Sequence, residues 1–340
     1  MDKPTIKDVA ERAGVSTATV SRAINEPRSV SDGLKESVME AIQELDYEPS
    51  SVAQSLKTNR TNTLALVITD NESPFYAKIM RGVEDVALEN DYSLFVSNTD
   101  EELKMEKVYL KNLQNRATDG IILAPTGQRN DVLNQLIESG TPIVFIDRWI
   151  DQLKDRVDTV LAQNFEGSYK AVSHLLDRGH ERIGIITGVR QVISSEERLE
   201  GYKKALKDQG IRIQDNLIVE GSFTIEGGTD ALKTLLSLKK RPTAVFITNG
   251  KMTMGALKLL REKGYKCPED LSLISFDDFE WFSILNPPVT AVRQDSYEIG
   301  TKSADMLLDK IESETADGGG SNYRVGTELV IRNSVAEVNT

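Results

Sequence analysis

Residues 5–25 read TIKDVAERAGVSTATVSRAIN, and the spacing inside this stretch decides how the N-terminal part folds. Ile6, Val9, Ala10 and Ala13 recur at helical intervals, with Lys7, Asp8, Glu11 and Arg12 on the outside. Gly14 supplies the permissive backbone of a tight turn, and Val15 points back into the core. Ser16 is a good N-cap for a second helix from about Thr17 to Ile24, which buries Val20 and Ile24. Its polar face carries Thr17, Ala18, Ser21, Arg22 and Asn25. A third helix, capped by Ser31, turns Leu34, Val38, Ala41, Ile42 and Leu45 inward. Three short helices with a glycine turn between the first two describe a helix-turn-helix.

In that fold the second helix enters the major groove of DNA. Arg22 then reaches guanine O6 and N7 in bidentate fashion, Ala18 suits a thymine methyl, and Thr17 meets a base edge. Thr5, Ser16, Thr19, Ser21 and Asn25 are short donors suited to phosphates, which set register and carry no sequence information. A helical capping subdomain with a solvated face shows the same periodicity, so spacing alone leaves both readings open.

Bulk charge does not decide between them. The 340-residue chain carries a net charge of −12, which taken alone argues against a nucleic-acid partner. Residues 1–60 hold 8 Lys/Arg and 10 Asp/Glu, so this part is also negative. The local exception is Pro49 to Asn62, with Lys57, Arg60 and no acid. The length implies more than one globular unit. No run of about 18 apolar residues is present, the N-terminus lacks a secretory h-region, and Cys267 stands alone, which together suggest a cytoplasmic protein without disulfides.

The stretch 5–25, together with Tyr47 and Pro49, closely resembles the signature of the LacI/GalR family of bacterial repressors, and the resemblance runs on over the rest of the chain. It implies a small all-α helix-turn-helix head (1–48), a hinge (49–62) and an α/β sensor of two doubly wound lobes (63–340), like periplasmic binding proteins. The lobes it implies are 63–160 with 291–322, and 161–290 with 323–340, the chain crossing near 161, 290 and 322. The DNA-contacting set it implies is Thr5, Ser16, Thr17, Ala18, Thr19, Ser21, Arg22, Asn25 and Ser31, with Ala53 and Leu56 from the hinge. SSVAQSLKT (50–58) is too short to be a stable helix alone in water, so the expectation is a hinge ordered only on DNA, where Leu56 wedges into a base step. The family usually has Asn-Ala after the proline and Ala-Arg ahead of the wedge; Ser50, Ser51 and Gln54 depart from that.

From Thr63 onward, strand and helix patterns alternate. Candidate strands are 64–70, 92–98, 119–125, 142–148, 182–188, 217–223, 243–249 and 271–277, with helices near 76–89, 103–115, 130–138, 166–178, 197–209 and 227–238. This alternation predicts parallel, doubly wound sheets. Ligands of such sheets sit beyond the carboxyl ends of the strands, where Asp70, Asn98, Asp147, Arg148, Asn249, Asp277 and Asp278 fall. Carboxylates accept from sugar hydroxyls and arginine donates in a planar fork. The resemblance implies pocket residues Phe75, Asp147, Arg198, Phe223, Asn249, Asp277 and Gln294.

Arg148 and Arg190 at strand ends, and Gly250-Lys251 where many family members have an acid after the asparagine, point to a sugar acid or sugar phosphate as effector, with a neutral sugar close behind. No cofactor is expected. Neither a G-x-G-x-x-G, a P-loop nor a G-x-S-x-G is present, and His174 and His180 lack zinc-site spacing. The reading is a non-enzymatic repressor of carbohydrate-utilisation genes. It binds palindromic operator DNA as a homodimer, since no leucine heptads occur near Thr340, it answers to a small sugar or sugar-acid effector, and it has no membrane partner. The rival is a stand-alone sugar-binding or sugar-modifying protein whose helical head is a cap.

Overall fold

The computed structural model describes residues 4–25, 29–47, 60–116, 118–313 and 320–338. The chain forms two compact units, residues 1–61 and 62–340.

In the first unit, helices α1 (Ile6–Ala13), α2 (Thr17–Asn25) and α3 (Asp32–Leu45) enclose Val9, Ala10, Val20, Ala23, Val38 and Ala41. Gly14 ends α1 in the left-handed conformation at φ 67°, and the Val15 amide donates back to the Ala10 carbonyl. That closure makes the tight turn into α2. Ser16 caps α2 by accepting from the Thr19 amide at 3.1 Å. Leu34, expected inward, is instead exposed on the first turn of α3, where Val38 and Ala41 take the core positions. The hinge expectations, including Ala53 and Leu56, lie outside the described residues.

The second unit holds two six-stranded sheets. The first runs β11 (Asn322–Val325), β5 (Asp158–Ala162), β4 (Ile143–Ile146), β3 (Gly120–Leu123), β1 (Thr63–Ile68), β2 (Ser93–Asn98), parallel throughout. The second runs β12 (Thr327–Val330), β10 (Thr290–Gln294), β9 (Ser272–Phe276), β8 (Ala244–Ile247), β6 (Ile183–Thr187), β7 (Ile218–Glu220), with β12 alone antiparallel. Apolar clusters cover both faces of each sheet, which is why most of these strands are nearly uninterrupted runs of Ile, Val, Leu and Ala.

The chain crosses between the lobes after Ala162, Gln294 and Val325. Thr290–Gln294 therefore belongs to the second lobe and Asn322–Val325 to the first, so the expected breaks at 290 and 322 fall a few residues early. The chain leaves each sheet only where the strand's pairing ends, and β10 and β11 are short strands whose pattern the sequence hides. Among the described residues no helix is long and apolar enough to cross a membrane.

Inside the first lobe, the helices Pro74–Glu89 and Ser296–Glu312 approach through a glycine pair. A Cβ on Gly82 would lie 2.4 Å from the Tyr297 carbonyl oxygen, and one on Gly300 would lie 2.2 Å from that of Ile79. Both obstacles are backbone, so neither can rotate away. Gly82→Ala therefore forces the helices apart and lowers the stability of the sensor by about 1–3 kcal/mol, despite alanine's better helix propensity. Urea unfolding checks this; a stabilised variant would show that the helices separate freely.

Candidate functional site

The carboxyl ends of the two sheets face one another, and the cleft between them is lined by 14 residues from both lobes. Thr69, Asp70, Ser73, Phe75, Tyr76, Glu101, Asp147 and Arg148 come from the first lobe, and Ser194, Arg198, Phe223, Asn249, Asp277 and Gln294 from the second. The remaining space is about 40 Å³, room for very few water molecules.

Arg148 is buried, and its guanidinium donates to both carboxylate oxygens of Glu101 at 2.8 and 3.0 Å and to Asp147 Oδ2 at 3.2 Å. It also lies 5.6 Å from the ring centroid of Phe223. Asp147 Oδ2 accepts a further hydrogen bond from the Tyr76 hydroxyl at 3.0 Å, and Thr69 Oγ1 donates to that hydroxyl at 3.0 Å. Burial, followed by the nearby Asp147 carboxylate, pushes the Tyr76 phenol well above its ordinary value, which keeps it a donor.

Across the cleft, Arg198 donates to Asn164 Oδ1 at 2.9 Å and to the Thr248 carbonyl at 2.7 Å, and stacks 3.8 Å over the Phe276 ring. Asp277 accepts from the Gly250 amide at 3.1 Å and from the Gln294 side-chain amide. Burial raises its carboxyl above the usual aspartate range, with Arg198 pulling the other way. Gln294 Oε1 is buried with no partner among the described residues, on a residue that lines the cleft.

Backbone strain marks the same place. Glu101, Asp147, Phe223 and Asp277 all have positive φ, at 59°, 63°, 61° and 75°. Side chains other than glycine rarely adopt this region, and such strain clusters at ligand sites. Phe223 reaches the cleft because Gly188 leaves room: a Cβ there would sit 2.1 Å from the ring. Gly250 has a similar cause, since a Cβ would sit 2.3 Å from the Phe279 ring. An acid at that position, where many family members carry one, would meet the Phe279 ring.

Eight of the nine sequence-derived pocket residues line the cleft; Arg190 does not, lying exposed 3.9 Å from Glu220. Asn98 and Asp278, named as strand-end candidates, also serve other contacts. Asn98 accepts from the Asn71 amide and donates to Asp100, while Asp278 pairs with Arg293 and Arg332. The expected surplus of cations is absent. Lys251 is paired with Asp70 and Glu72, and the lining carries four carboxylates against two guanidiniums. Sequence reasoning missed Tyr76, Glu101, Ser73, Thr69 and Ser194, none of which lies in a strand, though Thr69 directly follows β1. Tyr76 stood beside Phe75 in SPFYA and was the one within reach of a pattern.

In the head, Thr17, Ala18 and Arg22 lie on α2, the helix after the tight turn. Arg22 is exposed and its Nε donates to the Ala18 carbonyl at 3.4 Å. Thr5 Oγ1 and its amide both donate to Asp8 Oδ2 at 2.7 Å, so Thr5 and Asp8 close a capping box. Ser16 and Thr19 are joined at 2.9 Å. The side chain of Asn25 lies outside the described residues. Among the described residues no group of three His, Cys, Asp or Glu is arranged to hold a metal.

Residues 5–50 match the family model for bacterial regulatory proteins of the lacI family, and residues 61–327 that for periplasmic binding proteins and the sugar binding domain of the LacI family. The HTH-type transcriptional repressor PurR of Mannheimia succiniciproducens is 37% identical over 335 residues, covering 98% of this chain and 99% of the relative. The lac repressor dimer bound to operator and the anti-inducer ONPF superposes with a TM-score of 0.85 at 27% identity, over 98% of this chain and 100% of that one. A LacI family regulator from Enterococcus faecium with bound ribose gives a TM-score of 0.72 at 28% identity, over 82% of this chain and all of the other.

Tyr76→Phe removes one of two donors to Asp147 and the acceptor of Thr69, all of them buried. Unpaired buried groups carry a desolvation cost, so the sensor loses about 1–2 kcal/mol of stability while its fold is kept. Urea unfolding with near-ultraviolet circular dichroism measures this, and an unchanged midpoint would remove Tyr76 from the array.

Proposed function

The chain belongs to the LacI family of DNA-binding, effector-responsive transcriptional repressors, which are not enzymes, and we propose that its effector is a neutral sugar of about pentose size and its targets genes of carbohydrate use. The observation that carries this reading is the charge balance of the cleft. Arg148 is forked onto Glu101 and Lys251 closes on Asp70 and Glu72, so these cations are already matched by carboxylates before any anion enters. A polyol suits such a lining: its hydroxyls donate to Asp147, Asp277 and the unpartnered Gln294 Oε1, and accept from Arg148 and Arg198. Phe75 and Phe223 offer apolar faces to the ring's C–H groups. The ribose-bound regulator, similar over the sensor, supports the size class. The sugar acid or phosphate favoured by sequence is withdrawn, because the cations that suggested it are paired or exposed.

The similarity to PurR repressors favours a second reading, a purine-related effector, since aromatic side chains that cover a sugar also stack on a planar base. One panel separates the three. Calorimetry on the full-length protein compares D-ribose and other neutral pentoses with D-ribose 5-phosphate, D-gluconate and free purine bases. The neutral sugar binds tightest, and at about 100 Kd it adds roughly 2.7 kcal/mol to the stability of the sensor. Tighter binding by either acid, or by a purine base, would overturn the neutral-sugar reading.

On the DNA side, a homodimer on a palindromic operator is the arrangement a twofold protein favours, and the similar lac repressor structure is a dimer on its operator. Arg22, exposed on α2, is the candidate reader of guanine; Thr17 and Ala18 share its helix, and Thr5, Ser16, Thr19, Ser21, Asn25 and Ser31 are the candidate backbone contacts. Arg22→Ala costs about 1–3 kcal/mol of operator binding and leaves binding to random DNA nearly unchanged. Mobility shifts on both DNAs test this. Equal losses on the two would make Arg22 a phosphate contact.

A further inference from the structure

Lys251 stands in the first turn of the Gly250–Lys263 helix of the second lobe, yet its ammonium lies 2.7 Å from Asp70 Oδ2 and 3.4 Å from Glu72 Oε2. Both acids are on the loop that follows β1 in the first lobe. Among the described residues two other ion pairs join the lobes: Arg324 to Glu197 at 2.7 Å, and Lys78 to Glu280 at 3.9 Å, the latter mostly in water. Their positions differ in consequence. Arg324 is one residue from the end of β11, where the chain crosses between lobes, so a rotation about the crossings moves that pair little. Asp70 lines the cleft itself, far from the crossings in sheet order, so the same rotation separates it from Lys251.

We propose that Lys251 is a latch across the mouth of the effector cleft, holding the lobes together through Asp70 and Glu72 before any ligand binds. Asp70 both lines the cleft and holds this bridge, so any exchange of ligand that parts the lobes breaks it. The side chains of Lys251 and Asp70 keep 21% and 25% exposure, a half-buried setting in which the pair is weakened but not cancelled by solvent. Once the lobes separate beyond the screening length of about 8–10 Å, the attraction is gone. The latch therefore acts on the closed state alone and is salt-sensitive, which ties the exchange of effector to ionic strength.

The test needs no effector, so it stands apart from the identity of the sugar. Full-length protein with Cys267→Ala and nitroxide labels at Lys104→Cys and Glu226→Cys, exposed positions on the two lobes, reports the interlobe distance by pulsed electron resonance. Lys251→Met lowers the closed-to-open ratio about two- to five-fold, the range of partly exposed ion pairs. Lys251→Glu lowers it further, because the new charge faces two acids, and adding Asp70→Lys restores part of the loss. Raising salt from about 0.1 to 1 M opens the parent protein more than it opens Lys251→Met, which keeps only the two other pairs. Distance distributions that superimpose for parent and Lys251→Met would overturn the latch, and so would a charge swap as open as the single reversal.

Discussion

Arg148 and Arg198 lie almost wholly out of water, and the arrangement of the cleft follows from the need to match those two charges. A buried carboxyl can escape the cost of burial by taking up a proton, as Asp277 is pushed toward doing. A guanidinium has no such exit, since it stays protonated in proteins. Each therefore needs donors' worth of acceptors close by. Glu101 and Asp147 enclose Arg148, while Asn164, the Thr248 carbonyl and the face of Phe276 receive Arg198. Bringing those groups to bear requires Glu101 and Asp147 to hold left-handed backbone, which costs on the order of 1–3 kcal/mol each. The charge match offsets part of that strain, and the Tyr76 hydroxyl and the Asp147 amide's bond to the Val160 carbonyl add to the hold.

Matched charges also set what the cleft can recognise. A free arginine at a strand end selects anions; an arginine already forked onto Glu101 presents a polarised but neutralised edge. The distinction lies in a single long-range pair, residues 47 apart in sequence. In the first lobe, glycine-mediated contact brings two helix backbones together with no side chain to yield. Adjustment is left to the crossings and to the cleft, where polar groups can exchange partners.

Much of this was legible in the sequence, for reasons that differ by region. The head announced itself because a short amphipathic repeat, one glycine and one serine cap fix it locally. The central strands of each sheet read clearly because burial on both faces demands an apolar run. Short strands such as Thr290–Gln294 and Asn322–Val325, at lobe crossings, lack such runs, so the crossings were set a few residues early. Strand-end polar residues pointed to most of the cleft. What stayed hidden was partnership: Glu101 arrives from a loop 47 residues before Arg148, Tyr76 from a helix face, and neither pairing leaves a local trace. The absence of an acid at Gly250 was visible, but its cause, the Phe279 ring, was not.

The head carries more acids than bases over residues 1–60, which limits the sequence-independent attraction that brings most repressors to DNA. Each head then depends on base contacts from one short helix, and single contacts of that kind are each worth only about 1–3 kcal/mol. Where two such heads engage together, linkage raises the effective concentration of the second at a matched spacing and loses it at a mismatched one. Such a device responds steeply to small changes in geometry. It needs from its sensor only a modest difference between two lobe arrangements, and an effector can supply no more than its own difference in affinity for them. A cleft whose buried charges are largely satisfied keeps that difference within reach of a few polar contacts from a small effector.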